Sequence, residues 1–201
     1  MSTAMETAGE RLPREVTIAD RTVTIRKMAK SDAGAMLAFA RALPEHDLLF
    51  LMRDITQPEV IDRWLTLVDE GEMSAIVAEQ DGRLIGSTTV IPSDEPWSAH
   101  VGELRVIVST EARGTGLGTR LAQEAFALAL EFGLERMIAR MTTDQTGAIA
   151  AFEGLGFKAE GVLRDHVIDQ AGQKHDLLVM GHDVHRFQGT LAAYGVTDAL
   201  A

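Results

Sequence analysis

Residues Glu103–Arg120 read E-L-R-V-I-V-S-T-E-A-R-G-T-G-L-G-T-R, and this stretch decides the fold. Leu104, Val106, Ile107 and Val108 make Gly102–Val108 a strand rich in apolar and β-branched side chains. Gly114, Gly116 and Gly118 follow as a turn. Beyond them, Thr119–Phe132 carries an apolar stripe of Leu121, Ala125, Leu128, Ala129 and Phe132 at helical spacing, closed by Gly133. The amides of such a turn and of the first helical turn have no intrahelical acceptors. With no Cβ atoms in the way, they converge on one spot at the positive end of the helix, a nest for phosphate or pyrophosphate. Arg113 and Arg120 add positive charge at its edges.

Three phosphate-binding patterns compete for this turn. A P-loop requires Lys after its last glycine, and none stands here. A dinucleotide fingerprint requires Gly-x-Gly-x-x-Gly, whereas Gly114, Gly116 and Gly118 alternate, and Met137–Ala139 offers no acid for a ribose. The third pattern, Arg/Gln-x-x-Gly-x-Gly/Ala, is met by Arg113, Gly116 and Gly118. A flexible turn without a ligand is the plain structural alternative.

Outward from this core, Thr22–Arg26 alternates like a strand, and Asp32–Leu43 has Ala33, Met36, Leu37 and Ala40 on one helical face. Thr56 and Glu59 suggest a capping box around Pro58, followed by Ile61, Trp64, Leu65 and Val68 on a helix that ends at Gly71. Ser74–Glu79 and Arg83–Ile91 are strands joined by Asp81-Gly82, a hairpin turn. Downstream lie a strand at Met137–Met141, a helix at Gln145–Leu155 capped by Gly156, and strands at Lys158–Ile168 and His175–His182 about Gly172. The order β-α-α-β-β-β-α-β-α-β-β describes one mixed α/β domain whose sheet has antiparallel parts. It spans residues 21–183, between a loose arm at 1–20 and a tail at 184–201.

Composition narrows the function. The 201 residues are 46% hydrophobic and 24% charged, which excludes a disordered chain. There are 0 cysteines, so disulfides, zinc-thiolate sites and a Cys acyl-enzyme are excluded. With 19 Lys+Arg against 30 Asp+Glu, the net charge of −11 argues against nucleic acid as a partner. No apolar run approaches the roughly 20 residues of a membrane span. Met1–Arg14 lacks a signal-peptide core, so the cytoplasm is the expected compartment and no membrane partner is expected. Self-association as a homodimer is compatible with the sequence, though no feature demands it.

The glycine turn, together with Ala148-Ile149-Ala150-Ala151-Phe152-Glu153-Gly154-Leu155-Gly156-Phe157, resembles the GNAT superfamily of N-acetyltransferases, whose second motif reads A-I-x-L-Y-E-x-L-G-F. The resemblance extends from Thr22 to His182. It implies a single mixed sheet with helices on both faces and acetyl-CoA as co-substrate. It implies that Val106, Ile107 and Val108 offer backbone groups to the pantetheine arm. Arg113, Gly114, Thr115, Gly116, Leu117, Gly118 and Thr119 would wrap the pyrophosphate. Gln145 stands where relatives carry an Asn near pantetheine, and Phe152 lies against the same cofactor. The acyl group would sit where the strand at Glu103–Val108 and that at Met137–Met141 part.

Two departures bear on the chemistry. Phe152 stands where the family often has a proton-donating Tyr, and the single tyrosine, Tyr194, lies far outside the motif. Arg140 occupies a position where ribosomal-protein-type relatives carry an acid. Glu103 is therefore the expected base, acting directly or through one water, with His100 behind it. Glu45, His46 and Asp47, between the first two helices, and Asp165, His166, His175 and Asp176, near the last two strands, fall where relatives build acceptor pockets. None of the histidines has a metal-binding spacing, and no metal is expected. The main reading is transfer of acetyl to a primary amine of a small molecule, amino acid or peptide by direct attack in a ternary complex. A non-catalytic acyl-CoA sensor is the alternative, and an ATP- or NAD-binding protein a distant third.

Overall fold

The computed structural model describes residues 12–51 and 53–185. Eight strands form one sheet: β1 (Arg14–Ile18), β2 (Arg21–Lys27), β3 (Ser74–Gln80), β4 (Arg83–Pro92), β5 (Val101–Val108), β6 (Arg136–Thr142), β7 (Lys158–Ile168) and β8 (Lys174–Asp183). Four helices accompany it: α1 (Ala33–Ala42), α2 (Pro58–Asp69), α3 (Leu117–Glu131) and α4 (Thr146–Gly154). The sheet order is β1-β2-β3-β4-β5-β6-β8-β7. Every neighbouring pair is antiparallel except β5 and β6, which α3 joins as a parallel crossover. Asp81 and Gly82 both adopt positive φ, as a two-residue hairpin requires.

Alternation along the strands feeds two cores. One packs α3 and α4 on one face, with Leu104, Leu121, Phe126, Met137 and Phe157 inside it. The other packs α1, α2 and the segment Glu45–Leu51 on the opposite face, with Met36, Ile61, Val77 and Ile107 inside. Leu104 and Ile107, three apart on β5, point into opposite cores, as the period of two dictates. Among the described residues no helix is long and apolar enough to cross a membrane.

Several local expectations are corrected. Residues 14–18, read as part of a loose arm, form edge strand β1, reversed onto β2 through Ala19 and Asp20 in the left-handed region. Two alternating apolar residues, Val16 and Ile18, were too few to register as a period. The Thr56–Glu59 capping box is absent: Thr56 donates instead to Asp54, from its amide (2.9 Å) and from its hydroxyl (2.6 Å). Phe39, rather than Ala33 or Leu37, completes the buried face of α1 with Met36 and Ala40. Val184, the first residue of the expected tail, is buried in the core, whereas residues 1–11 and 186–201, with Tyr194, lie outside the described residues.

One buried charge ties α1 to the sheet. The Asp32 carboxylate accepts from Arg26 Nη1 and Nη2 on β2, each at 2.8 Å, and from the Ala29 amide at 2.8 Å. The hydrogen bonds from Arg26 come first among the forces that hold the Asp32 carboxyl below its usual value. A depressed carboxyl contributes stability above the unfolded value of about 4 and loses it as pH falls through the folded value. Asp32→Asn should therefore cost about 1–3 kcal/mol in urea unfolding at pH 7. The gap to the native protein should narrow as the pH is lowered below about 4.

Candidate active site

The site begins where two parallel strands separate. β5 pairs with β6 only from Val101↔Arg136 to Glu103↔Ile138. Past that point β5 stays on β4 as far as Gly86↔Val108, and β6 stays on β8. A cleft therefore opens between residues 104–108 and 139–142, and one backbone edge of β5 faces it without a strand partner. Val106 and Val108 are half-buried there. The Ile107 side chain belongs to the core, leaving only its backbone for a ligand.

At the end of this edge, the chain passes through the short turn Thr110–Ala112 into the glycines. Gly114 and Gly116 have φ of +71° and +90°, and a Cβ on either would meet nothing within 4 Å. The conformation, rather than crowding, demands glycine. Gly116 N-caps α3 with no side-chain hydrogen bond. Among the described residues, the amides of Gly114, Thr115, Gly116, Gly118 and Thr119 meet no protein acceptor. Thr115 instead donates its hydroxyl to the Ala112 carbonyl at 2.7 Å, which shapes the turn. Leu117 is fully buried, so of this residue only the backbone faces a ligand. Arg113 is ion-paired with Asp47. Arg120 turns to Glu124 (2.9 Å) on the flank of α3, a carboxylate that it shares with Arg14 of β1.

The cleft floor carries a clasped carboxylate. Glu103 accepts from Arg105 Nε at 2.7 Å and from Arg140 Nη1 at 2.9 Å. Both oxygens thus already face guanidinium donors, and two cations surround one anion. Gln145 N-caps α4 and its Oε1 accepts from the Thr142 amide at 3.1 Å, which leaves Nε2 as its donating end. Phe152 is buried against Phe157, edge to face at 4.9 Å. His100 precedes β5 at the end away from the glycine turn, and His166 is exposed on β7. Neither joins the cleft group.

The segment between the first two helices, named from the sequence, closes one side. The segment Glu45–Leu51 anchors Phe50 and Leu51 in the core and spends three consecutive polar side chains on the cleft walls. Glu45 accepts from the Gln170 amide at 2.7 Å. His46 Nε2 lies 3.1 Å from Asp144 Oδ1 and 3.2 Å from Thr142 Oγ1. Asp47 takes Arg113 of the glycine turn. His46 also meets His175 edge to face, at 5.2 Å between ring centroids, and His175 Nε2 lies 3.0 Å from Asp169 Oδ2. Hydrogen bonds from Thr142 and then His46 hold the Asp144 carboxyl below its usual value. Asp176 of β8 accepts from the Asp165 amide at 2.9 Å, a contact internal to the last hairpin.

The sequence profile of the acetyltransferase (GNAT) family matches residues 37–157, which include both cleft strands and the glycine turn. The chain belongs to this family. Its relatives are similar over nearly their whole length. A Bacillus subtilis (strain 168) protein named "Putative phosphinothricin acetyltransferase YwnH" is 28% identical over 165 residues, 81% of this chain and 99% of that one. The crystal structure of a ribosomal-protein-alanine N-acetyltransferase from Brucella melitensis aligns with a TM-score of 0.68 at 26% identity, covering 79% of this chain and 98% of that one. A Salmonella typhimurium protein named "yncA, a putative ACETYLTRANSFERASE", solved with its cofactor acetyl-CoA, aligns with a TM-score of 0.70 at 20% identity, over 81% of this chain and 94% of that one, and shares the fold. This GNAT protein is thus an N-acetyltransferase that uses acetyl-CoA. Gly116→Ala should cost this acetyltransferase about 1 kcal/mol of stability, read from its denaturation midpoint, because alanine is strained at φ +90°.

Proposed function

We propose that this acetyltransferase moves the acetyl group of acetyl-CoA to the primary amine of a small, amino-acid-like acceptor by direct attack in a ternary complex. The observation that carries this reading is the row of unmet amides at Gly114, Thr115, Gly116, Gly118 and Thr119, continuous with the unpaired edge of β5. An extended pantetheine arm can pair with that edge as a strand would. The amides of the turn, aided by Arg113, suit a pyrophosphate at a helix N-terminus. Gln145 Nε2 supplies a donor from the other wall of the cleft, and Phe152 supports α4 from within the core. The reaction itself fits the cytoplasm.

The amine nitrogen attacks the thioester carbonyl carbon, the C–S bond breaks, and CoA leaves as a thiolate. The ammonium must lose two protons. The first goes to solvent before attack, and Glu103 receives the second through a water as the C–N bond forms, because guanidinium groups occupy its direct approaches. The thiolate takes a proton from solvent, since Phe152 has none to give. Positioning and stabilisation of the developing oxyanion supply the rest of the rate. Arg105 and Arg140 give the floor a net positive charge that suits an acceptor with an anionic group. Phosphinothricin, the acceptor in the Bacillus relative's name, is an amino acid of this kind.

Release of CoA thiol from acetyl-CoA, followed with a thiol reagent, tests this directly, and a chain with 0 cysteines adds no background. The pool of anionic amino acids should give turnover; release only with peptide amines would overturn the acceptor class, and silence in every pool would overturn the transfer. Glu103→Gln should lower kcat by about 10²–10⁴-fold. An unchanged kcat would remove Glu103 from the reaction. Asp47→Asn should free Arg113 for the pyrophosphate and lower the KM for acetyl-CoA by about 1.5- to 5-fold, the range of a partly exposed ion pair.

A further inference from the structure

The fold gathers His46, Asp144 and His175, and one ligand atom from each lies within 4.8 Å of the other two. They come from three elements: the segment Glu45–Leu51, the junction between β6 and α4, and β8. The sequence separations are 98 and 31 residues, so no spacing rule could announce them, and the expectation of no metal rested on spacing alone.

We propose that these three side chains form a binding site for a divalent first-row transition cation of the Zn²⁺, Co²⁺ or Ni²⁺ kind. Two imidazoles and one carboxylate are the donor types such ions prefer, and with three protein ligands a fourth position stays open to water. The geometry is close to what coordination needs. Donors held about 2.1 Å from a tetrahedral ion lie about 3.4 Å apart. His46 Nε2 and Asp144 Oδ1 already stand at 3.1 Å. Two imidazoles on one tetrahedral ion have ring centroids about 5 Å apart. Those of His46 and His175 are 5.2 Å apart, at an interplanar angle of 67°.

The surroundings support the ligands. Asp169 holds Nε2 of His175 at 3.0 Å, the carboxylate–histidine arrangement that fixes tautomer and ring orientation around bound metals. The Thr142 hydroxyl lies 3.2 Å from His46 Nε2 and helps to orient that ring. With both histidines neutral, Asp144 and Asp169 supply two negative charges to match a dication. A bound ion would replace the hydrogen bond between His46 and Asp144 and join the segment Glu45–Leu51 to β8. The Arg113–Asp47 pair already ties that segment to the glycine turn.

The test is calorimetric titration of the full chain, without an affinity tag and after chelator treatment, with Co²⁺ and with Zn²⁺. Visible absorption of the Co²⁺ form serves as the geometric readout. It does not depend on acetyl transfer, so its failure would leave the proposed reaction standing. One equivalent should bind with a micromolar or tighter Kd, about 10⁻⁶ M, and give the intense visible bands of tetrahedral Co²⁺. His46→Gln and His175→Gln should each weaken binding by at least about tenfold, and Asp169→Asn by about 10- to 100-fold. His166→Gln, on the exposed edge strand, should change nothing. Millimolar binding in the native chain would overturn the proposal. So would native affinity retained in both His46→Gln and His175→Gln, each shown to be folded by circular dichroism.

Discussion

The structure depends on one interruption in hydrogen bonding. Buried backbone donors are almost always met inside a protein, and this sheet meets them through eight strands and a parallel crossover. The pairing of β5 with β6 stops at Glu103, so the last part of β5 keeps an open edge. That edge runs into a turn whose glycines, at φ of +71° and +90°, direct further unmet amides the same way. Among the described residues this edge and the turn amides form one continuous row of donors, and the proposed cofactor site rests on that row. The helix dipole of α3 sets the sign of that ligand.

Opposite this row, the chain has placed polar groups that hold one another. Glu103 lies between Arg105 and Arg140, and the consecutive Glu45, His46 and Asp47 reach three different walls. Through Asp47 and Arg113, the segment Glu45–Leu51 touches the glycine turn. A ligand that draws on Arg113 must compete with Asp47, which gives the two halves of the cleft a direct electrostatic link. The pair is partly exposed, so this coupling is small and sensitive to salt.

Much of this was legible in the chain because it is local. The strand, glycine turn and amphipathic helix around Glu103–Arg120 follow from adjacent residues, as does the Asp81-Gly82 hairpin. The exposure of Val162, Leu163 and Ile168 follows from the place of β7 at the sheet edge, which the strand order sets. The capping box failed because Asp54, two residues before Thr56, competes for the same hydroxyl and amide. Long-range pairs were hidden altogether. That Arg140 would stand beside Glu103, or His46 beside His175, depends on the strand order β5-β6-β8 and on where the segment Glu45–Leu51 crosses it. Sequence reading finds the backbone chemistry of this site and misses the side-chain chemistry, because the first is contiguous and the second is assembled.

The most direct test of the central claim is to follow the backbone amides by NMR while acetyl-CoA is added to the native chain. The resonances of Gly114, Thr115, Gly116, Gly118 and Thr119 should shift together and their hydrogen exchange should slow, along with amides on the open edge of β5. If acetyl-CoA binds while these five amides keep their shifts and exchange rates, the unmet row is not the cofactor site and the account is wrong.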